Sequence, residues 1–562
     1  MKIPLLSAFL ERAGRRRRRR IVRGHHALKA SGRLALIVEL KEALVNAHFD
    51  AEAKQASGRI FGAGRKDAEK IIRQYIFYRV GGLNLNAALL EALGGGGAVV
   101  HPLPARWRHI IREHGFRVDG FRCMIHWHAY VAFFYVCGLC SFLARVFAGF
   151  REALRPAFVP LGSYAYFDSL VPGTLPQPAA DGRSHDILSW YLQWPERAAN
   201  LDTLAHSVRS VPAGTVRGVR VQPFAHPIRP LARGGDVLRF LVWGLAAGGT
   251  ATVDLVRGRW WNALLLHEAV KAAQLRLTDP ALVARDYLFP NSVYLYRPLW
   301  SYEAERHGAR IIFYFYSTNC ESFKRPDGYP IQANIWTAMN WPHYLVWDEP
   351  QAEFVRRAVG TDAQIRVVGP IWFHSSATEM PKLPPETVAV FDVQPFRHAH
   401  YAGQGVDLDY HTPETVNQFL ADIAVSVRER GMKFALKRKR KIGRLAHPAY
   451  LRLLTQLDGA PNFISVDSDT AAQRVIEQAV AVISFPFSST GLLGRALGKP
   501  SIFYDPHGIV QKDDRAAHGI EIITGREELA RWLSSVAAGT SNSANHRGLE
   551  TAMADKHGVE TR

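Results

Sequence analysis

The alternation of short apolar runs with amphipathic segments in the second half of the chain constrains the fold most. Each run has four to six residues, and each precedes a segment with helical periodicity. The predicted strands are Val388–Val393, Lys433–Leu436, Phe463–Val466, Val480–Phe485 and Ser501–Tyr504, and the predicted helices are Thr412–Arg430, His447–Leu457, Asp469–Ala479, Ser488–Leu497 and Arg526–Ala537. Because parallel strands need crossover helices, the alternation predicts a doubly wound, largely parallel α/β sheet.

The chain has 562 residues, too many for a single hydrophobic core. Apolar runs at Val237–Ala247, Ser292–Tyr296 and Ile311–Tyr316, with a helical segment at Trp261–Leu277, predict a second set of strands and helices. We therefore expect an α/β protein with a helical region in residues 1–150 and two Rossmann-like domains in residues 151–365 and 366–538. Residues 539–562 are polar and small, which predicts a disordered tail.

The charge of the chain is strongly positive and uneven. The formal net charge is +20, and residues 1–40 hold eleven basic and two acidic side chains, mostly in the run Arg15–Arg20. Such a run suits an anionic membrane surface, a nucleic acid or an import receptor, and a solvated basic arm is the plainer alternative. Because the aromatic residues cluster in apolar runs and not beside the cations, we expect no nucleic-acid partner.

The segment Cys123–Ala144 carries no formal charge over 22 residues. That length approaches the ~20 residues of a membrane-crossing helix, so the segment is either inserted in a membrane, crossing or re-entrant, or buried as a core helix. His25, His26 and Lys29 follow the arginine run where a signal peptide would be apolar, so no signal peptide is predicted. With four cysteines in the whole chain, we expect a cytoplasmic protein on the inner face of the cytoplasmic membrane.

Hydroxyl side chains follow one predicted strand directly. After Ser484 the chain reads Phe-Pro-Phe and then Ser488, Ser489, Thr490 and Gly491 at the start of a predicted helix. Helix N-termini at the carboxyl edge of such a sheet bind anions, so this segment predicts a phosphate site. The alternative is that Ser488 only caps the helix.

A second strand ends in five consecutive cations, Lys437–Lys441, with His447 following before the next helix. Like charges repel one another on a regular element, so the run is expected to face an anion, with Lys437 pointing into a cleft. Asp467 and Asp469 have the spacing of a metal-binding pair, but they suit a helix start equally well, so no metal site is predicted. The chain contains no Walker A loop, no dinucleotide-binding glycine motif, no H-E-x-x-H and no G-x-S-x-G.

These residues resemble a known family. The sequence VISFPFSSTG at Val482–Gly491, followed by Gly498–Asp505, resembles the bacterial polysaccharide biosynthesis proteins named for their PFTS motif, with Ser488 in place of the motif's Thr. Shorter matches are Tyr316–Asn319, Tyr344–Glu349, Val368–Pro370 and Val390–Val393, so the likeness covers roughly residues 290–510.

The resemblance implies the two-domain GT-B architecture of glycosyltransferases, with the nucleotide donor on the C-terminal domain and the acceptor on the N-terminal one. The pairing of His447-Pro448 with a double serine is similar to enzymes that use cytidine-monophosphate sugars, which would put His447, Ser488 and Ser489 on the donor phosphate. A general base would come from the other domain, where Asp168, Asp186, Glu303 and Glu305 are the candidates.

The predicted function is therefore transfer of a sugar from a nucleotide-sugar donor to a surface polysaccharide or lipid-linked glycan, without a metal or another cofactor. Two alternatives stay open. Polyol-phosphate transfer or nucleotide-sugar epimerisation would keep the fold and change the chemistry. A non-catalytic nucleic-acid-binding protein would use the basic runs instead.

Overall fold

The computed structural model describes residues 4–33, 35–154, 162–175, 186–291, 296–318, 320–330, 334–360, 362–371, 380–404, 410–441 and 443–539. Within these residues fourteen strands form two sheets. The prediction of an α/β protein with two Rossmann-like domains, the GT-B arrangement, is confirmed. The predicted tail lies outside the described residues from position 540 onward.

The region before the first strand is helical. Its helices are α1 (Pro4–Ala30), α2 (Leu36–Val45), α3 (Asp50–Lys54), α4 (Gly58–Phe61), α5 (Ala68–Val80), α6 (Leu83–Gly95), α7 (Ala105–Glu113) and α8 (Gly120–Leu154). The arginine run lies within α1, which packs along α6. A Cβ on Gly24 would stand 2.0 Å from the Leu90 carbonyl oxygen, so the two helix backbones touch. The run therefore belongs to a packed helix, and its six arginines are exposed to solvent.

Helix α8 contains the uncharged segment. Among the described residues it is the helix that is long and apolar enough to cross a membrane by length and composition. Its most apolar 18-residue window is 22% buried. The helix is thus partly covered by protein, with one side packed against the core and the other exposed.

The N-terminal sheet consists of β1 (Tyr164–Phe167), β2 (Thr203–His206), β3 (Gly214–Val216), β4 (Val219–Pro223), β5 (Asp286–Pro290), β6 (Arg310–Tyr314), β7 (His343–Val346) and β8 (Gln364–Val367). The strand order is β3-β4-β2-β1-β5-β6-β7-β8, and all pairs except β3–β4 are parallel. The associated helices are α9 (Ile187–Gln193), α10 (Gly234–Val256), α11 (Trp260–Leu264), α12 (Leu266–Arg276), α13 (Leu299–Arg306), α14 (Asn334–Thr337) and α15 (Glu349–Val359). The predicted strand at Ile311–Tyr316 is confirmed as β6.

The predicted strand at Val237–Ala247 is wrong, because this run lies inside the 23-residue helix α10. The run has eleven residues, whereas a buried strand usually has four to eight. Length is the property that distinguishes a buried strand from a buried helix when both are apolar. The run Ser292–Tyr296 lies outside the described residues except for Tyr296.

The C-terminal sheet consists of β9 (Thr387–Phe391), β10 (Lys433–Lys437), β11 (Phe463–Val466), β12 (Ala481–Ser484), β13 (Ser501–Asp505) and β14 (Glu521–Thr524). Its order is β11-β10-β9-β12-β13-β14, and every pair is parallel. The helices are α16 (His398–Gln404), α17 (Pro413–Arg428), α18 (Pro448–Leu457), α19 (Ala472–Gln478), α20 (Ser489–Ala496) and α21 over residues 525–539. Five predicted strands are confirmed, and β14 was missed.

Short 3₁₀ turns complete the described structure at Gly62–Asp67, Pro172–Thr174, Pro280–Leu282, Gly443–Leu445 and Arg515–Ala517. The two sheets meet at their carboxyl edges. Ser317 and Thr318, which follow β6, contact Ser489 at the start of α20. Because both carboxyl edges border the same cleft, side chains from both domains can reach one ligand.

Candidate functional site

The C-terminal sheet changes direction between β9 and β12, which are neighbours although β10 and β11 separate them in the chain. In open α/β sheets, ligands bind at the carboxyl ends of the strands at such a point. A cavity of about 250 Å³ lies there. Its lining is Tyr316, Ser317, Phe391, Asp392, Val393, Lys437, Lys439, Arg440, Ser468, Ala472, Ser488, Ser489 and Thr490. The predicted donor residues Lys437, Ser488, Ser489 and Thr490 are thus brought together.

The segment between β12 and α20 holds its hydroxyls in a chain. Thr490 Oγ1 lies 2.8 Å from Ser484 Oγ and 3.0 Å from Ser488 Oγ. Ser488 has the N-cap position of α20, but its side chain makes no capping hydrogen bond. The alternative that Ser488 only caps the helix is therefore wrong. Phe487 precedes it with φ of 61°, a conformation that L residues rarely adopt and that is found at functional sites.

Ser489 joins the two domains. Its Oγ accepts hydrogen bonds from the Thr318 backbone N–H at 3.0 Å and from Thr318 Oγ1 at 3.2 Å. Ser489 Oγ also lies 3.4 Å from Ser317 Oγ, to which it donates. The side chain lines the cavity and at the same time bonds the facing domain.

Gly491 has a packing role that the sequence did not indicate. A Cβ at this position would lie 2.7 Å from the Phe503 ring. The group that approaches the Gly491 backbone is therefore this ring, and donor binding by Gly491 stays a prediction. Gly491 does not line the cavity.

Three cations of the basic run line the cavity, two more than predicted. Burial lowers the pKa of Lys437 to about 8, with the nearby charge of Lys439 as the next cause. Burial also lowers the pKa of Lys439, and the charge of Arg440 lowers it further. Lys437 is buried, whereas the side chains of Lys439 and Arg440 reach solvent. Because like charges repel one another, an anion in the cavity would stabilise all three cations.

Lys441 faces away from the cavity and pairs with the two acidic residues of the D-x-D pattern. Its Nζ lies 2.8 Å from Asp469 Oδ2 and 3.5 Å from Asp467 Oδ1. The charge of this acidic pair is therefore opposed by a cation of the chain itself. Between these residues Ser468 is 5% exposed and lines the cavity, and its hydroxyl has no partner within the described structure.

Asp392 is a site residue that the sequence reasoning missed. It follows β9 directly, is 4% exposed and lines the cavity. Tyr450 Oη donates to its Oδ2 at 2.6 Å, while Oδ1 has no hydrogen-bond partner within the described structure. Burial raises the pKa of Asp392 to about 6, against the opposing effect of the Tyr450 hydrogen bond. The strand-end rule that located the serines would have found it.

His447 stands at the N-cap of α18, where its Nδ1 accepts a hydrogen bond from the Ala449 N–H at 3.3 Å. Its ring lies 5.6 Å from that of His398, and burial lowers its pKa. His447 is not among the residues that line the cavity. Its position corresponds to a helix-start residue and not to the donor contact that the resemblance implies.

The predicted general bases differ in placement. Asp168 follows β1 directly, at the point where the N-terminal sheet changes direction between β1 and β5, and it is half-buried. This is the sheet edge that borders the cleft. The Asp168 charge contributes to the raised pKa of Tyr314 at the end of β6, which shows that the two groups are near one another. Asp168 is thus the candidate on the facing edge.

Asp186, Glu303 and Glu305 have other partners. Asp186 caps α9, accepting from the Ser189 N–H at 2.8 Å and the Ser189 hydroxyl at 2.6 Å. Glu303 is 1% exposed and pairs with Arg276 at 2.6 Å. It lies in the middle of α13, where its Oε1 also accepts a hydrogen bond from the Ala63 backbone N–H at 3.0 Å. Glu305 pairs with Arg297. The structure does not support the prediction that Asp186 or Glu303 is the general base, because both carboxylates already take part in buried structural contacts.

Comparison with solved structures finds similar folds at low identity. UDP-GlcNAc 2-epimerase from Methanocaldococcus jannaschii has 8% identity over 67% of this chain and 92% of its own, with a TM-score of 0.33. Os79 from O. sativa in complex with UDP and deoxynivalenol-3-glucoside has 12% identity over 66% and 90%, with a TM-score of 0.33. Anabaena Alr3699/HepE in complex with UDP and glucose has 10% identity over 70% and 99%, with a TM-score of 0.33. Similarities this distant say nothing about what this chain binds.

A search of curated protein sequences found no match. A family model described as polysaccharide biosynthesis PFTS motif protein matches residues 243–533. The match includes the cavity residues of both domains and the motif segment Pro486–Ser489. Because it spans more than half of the chain, this protein belongs to the polysaccharide biosynthesis PFTS motif family.

Proposed function

We propose that this protein is a glycosyltransferase that binds a nucleotide-sugar donor in the cavity of the C-terminal domain. The observation that carries the proposal is the cluster of Lys437, Lys439 and Arg440 opposite the hydroxyls of Ser488 and Thr490, at the carboxyl edge of a Rossmann-like sheet. Backbone N–H groups at a helix start, hydroxyls and cations together suit a phosphate. Membership of a polysaccharide biosynthesis family supports a sugar as the transferred group.

In the proposed reaction the bond between the anomeric carbon and the phosphate oxygen breaks, and the acceptor hydroxyl oxygen forms the new bond to that carbon. Negative charge develops on the leaving phosphate, where the three cations and the Ser488 hydroxyl stabilise it. These groups supply the positive charge that a divalent ion supplies elsewhere, so we propose that transfer needs no metal. The acceptor hydroxyl passes its proton to a base on the facing domain, for which we propose Asp168.

Asp392 has a separate role in the proposal. Asp392 lines a cavity whose other polar groups favour phosphate, and its Oδ1 has no hydrogen-bond partner within the described structure. A carboxylate accepts hydrogen bonds only, so it suits a hydroxyl or amino group of the donor and not the phosphate itself. The resemblance to enzymes that use cytidine-monophosphate sugars makes that donor the first to test.

The test measures nucleotide binding by thermal shift, because a ligand that binds only the folded state raises the melting temperature. Cytidine, uridine and guanosine mono- and diphosphates are compared on wild type, Lys437→Ala and Lys441→Ala. The matched control is Lys441→Ala, since this cation belongs to the same run but pairs with Asp467 and Asp469. At least one nucleotide should raise the melting temperatures of wild type and Lys441→Ala equally. The affinity of Lys437→Ala for that nucleotide should be at least tenfold lower.

The bound nucleotide then identifies the donor series for product analysis. Release of free nucleotide with a new glycosidic bond on an oligosaccharide acceptor would support glycosyl transfer. A changed sugar on an intact nucleotide would indicate an epimerase, and transfer of a phosphorylated polyol would indicate the other alternative chemistry. Equal binding by Lys437→Ala and Lys441→Ala would refute the cavity as the phosphate site.

A further inference from the structure

The surface of α8 and α10 is more apolar than a soluble monomer tolerates. The exposed apolar residues of α8 are Phe133, Val136, Leu143, Phe147, Phe150 and Leu154, called here the α8 stripe, and those of α10 are Leu238, Val242, Leu245, Val253 and Val256, the α10 stripe. Their exposed fractions run from 43% at Phe150 to 84% at Val256. Neither stripe contains a charged residue.

The two helices are antiparallel and touch along one seam. The seam pairs are Tyr135 with Thr252, Leu139 with Gly248, Phe142 with Gly244 and Gly149 with Val237. Along the seam the residue numbers increase on α8 while they decrease on α10, so the two helices run in opposite directions. The contact is close, since a Cβ on Gly244 would lie 1.9 Å from the Phe142 ring. The pair is therefore a fixed unit.

The geometry of this seam puts both stripes on the same side. On each helix a stripe residue follows a seam residue by one position, as Leu143 follows Phe142 and Leu245 follows Gly244. One position is a rotation of about 100° in the same sense on both helices. In an antiparallel pair, equal rotations away from the seam point to the same side. The stripes thus form one continuous apolar surface.

The surface is too large to be incidental. With a phenylalanine side chain of about 200 Å², the exposed parts of Phe133, Phe147 and Phe150 alone present on the order of 350 Å², and eight further leucine and valine side chains of the two stripes add to this area. Soluble monomers rarely expose more than a few hundred Å² in one patch, and larger patches mark partner or membrane surfaces.

The charges beside the surface favour an anionic partner. Arg17 and Arg20 of α1 line the same hollow as Arg122 at the start of α8. Arg16, Arg18 and Arg19 are also exposed. The basic run therefore lies at the N-terminal end of the apolar surface. A second copy of a chain with net charge +20 would be repelled at this place, whereas an anionic lipid headgroup would be attracted.

We propose that the paired stripes of α8 and α10 lie in the interface of an anionic lipid bilayer, parallel to its plane, with the arginine run on the headgroups. A spanning orientation does not fit α8. At 35 residues it is about 50 Å long against a hydrocarbon thickness of about 30 Å, and its other side is covered by protein from Cys123 to Gly149. A pair of helices that lies in the plane of the interface accommodates both the length of α8 and the protein that covers its other side.

Flotation of the full-length protein with vesicles tests the proposal. Vesicles of phosphatidylcholine alone are compared with vesicles containing 30% phosphatidylglycerol, at low and high salt. Wild type should float with the anionic vesicles. Phe133→Glu/Phe147→Glu on α8 and Val242→Glu/Leu245→Glu on α10 should each lower the partition coefficient at least tenfold. The matched control is Leu451→Glu/Ile509→Glu, which changes two exposed apolar residues of the C-terminal domain and should bind as wild type does.

The arginines are tested separately. Replacing Arg16, Arg18 and Arg19 with Gln should weaken binding to anionic vesicles on the order of 100-fold and remove most of its salt dependence. Melting temperatures within 2 °C of wild type would show that these variants fold, as expected for side chains that are already exposed.

Cys140 provides a native probe, since it is exposed on α8 between Val136 and Leu143. In a Cys137→Ser background, a polarity-sensitive thiol dye on Cys140 should shift its emission to the blue when anionic vesicles are added.

Three results would overturn the proposal: no flotation of wild type, unchanged flotation of the α10 variant, or a dimer in light scattering that the stripe variants convert to a monomer. The last would assign the surface to a second copy.

Discussion

The buried carboxylate of Asp392 gives a prediction whose size follows from the structure. Burial raises its pKa from 3.8 to about 6. The folded state therefore binds this proton more tightly than the unfolded chain does. Its contribution to stability is complete below pH 4 and is lost as the pH rises through 6. With about 1.4 kcal/mol for each unit, the charged carboxylate costs at most about 3 kcal/mol above pH 7.

Asp392→Asn removes the titration and keeps an oxygen to accept the Tyr450 hydrogen bond. The melting temperature of the variant should match that of wild type at pH 4 and exceed it by several degrees at pH 8, given about 2–4 °C for each kcal/mol in a domain of this size. Differential scanning calorimetry from pH 4 to pH 8 measures the difference.

The matched control is Asp422→Asn. Tyr504 donates to Asp422 at 2.6 Å, so the same kind of hydrogen bond is changed away from the cavity, and nucleotide binding should be unaffected. If the difference between Asp392→Asn and wild type were the same at pH 4 and pH 8, burial would not be disfavouring the charged carboxylate, and the reasoning would be refuted.

Four further variants probe the site and its surroundings. Gly491→Ala should lower the free energy of unfolding by about 1–3 kcal/mol in a denaturant titration, because its Cβ would collide with the Phe503 ring; unchanged stability would contradict that contact. Ser488→Ala should weaken nucleotide binding about tenfold in equilibrium dialysis and leave the melting temperature unchanged, since its hydroxyl caps nothing; a large loss of stability would restore the capping role. Asp168→Asn should reduce turnover with nucleotide affinity intact, whereas Glu303→Gln should lower thermal stability and leave the turnover of folded protein as it was; the reverse pattern would exchange their roles.

The C-terminal domain was predictable because local pattern and topology agree there. Its strands are short and mostly apolar, and they alternate with amphipathic helical segments, so the alternation alone implied a parallel sheet. The strand-end rule then located Lys437 and Ser488. The same rule applied to the run ending at Phe391 would have included Asp392, whose single carboxylate forms no motif.

Outside the C-terminal domain, the roles of individual segments and carboxylates depended on contacts between distant parts of the chain. An apolar run such as Val237–Ala247 has the composition of a strand or a helix, and only its length of eleven residues favours the helix that the structure shows. A carboxylate such as Glu303 has no sequence property that separates a base from an ion pair. Its partner Arg276 lies on another helix, 27 positions away, and only the fold brings them together.

The hydrogen bonds of Ser489 connect donor binding with the position of the two domains. A hydroxyl has one proton and two lone pairs, and here Thr318 uses the lone pairs while Ser317 receives the proton. A donor phosphate that took this proton would replace Ser317 and leave the bonds from Thr318 in place.

Occupancy of the cavity would then compete with one hydrogen bond between the domains, because the phosphate and Ser317 need the same proton. Such a linkage is reciprocal, so whatever strengthens the bond to Ser317 weakens nucleotide binding by the same factor. Ser317, a residue outside the donor domain, would thus set part of the donor affinity.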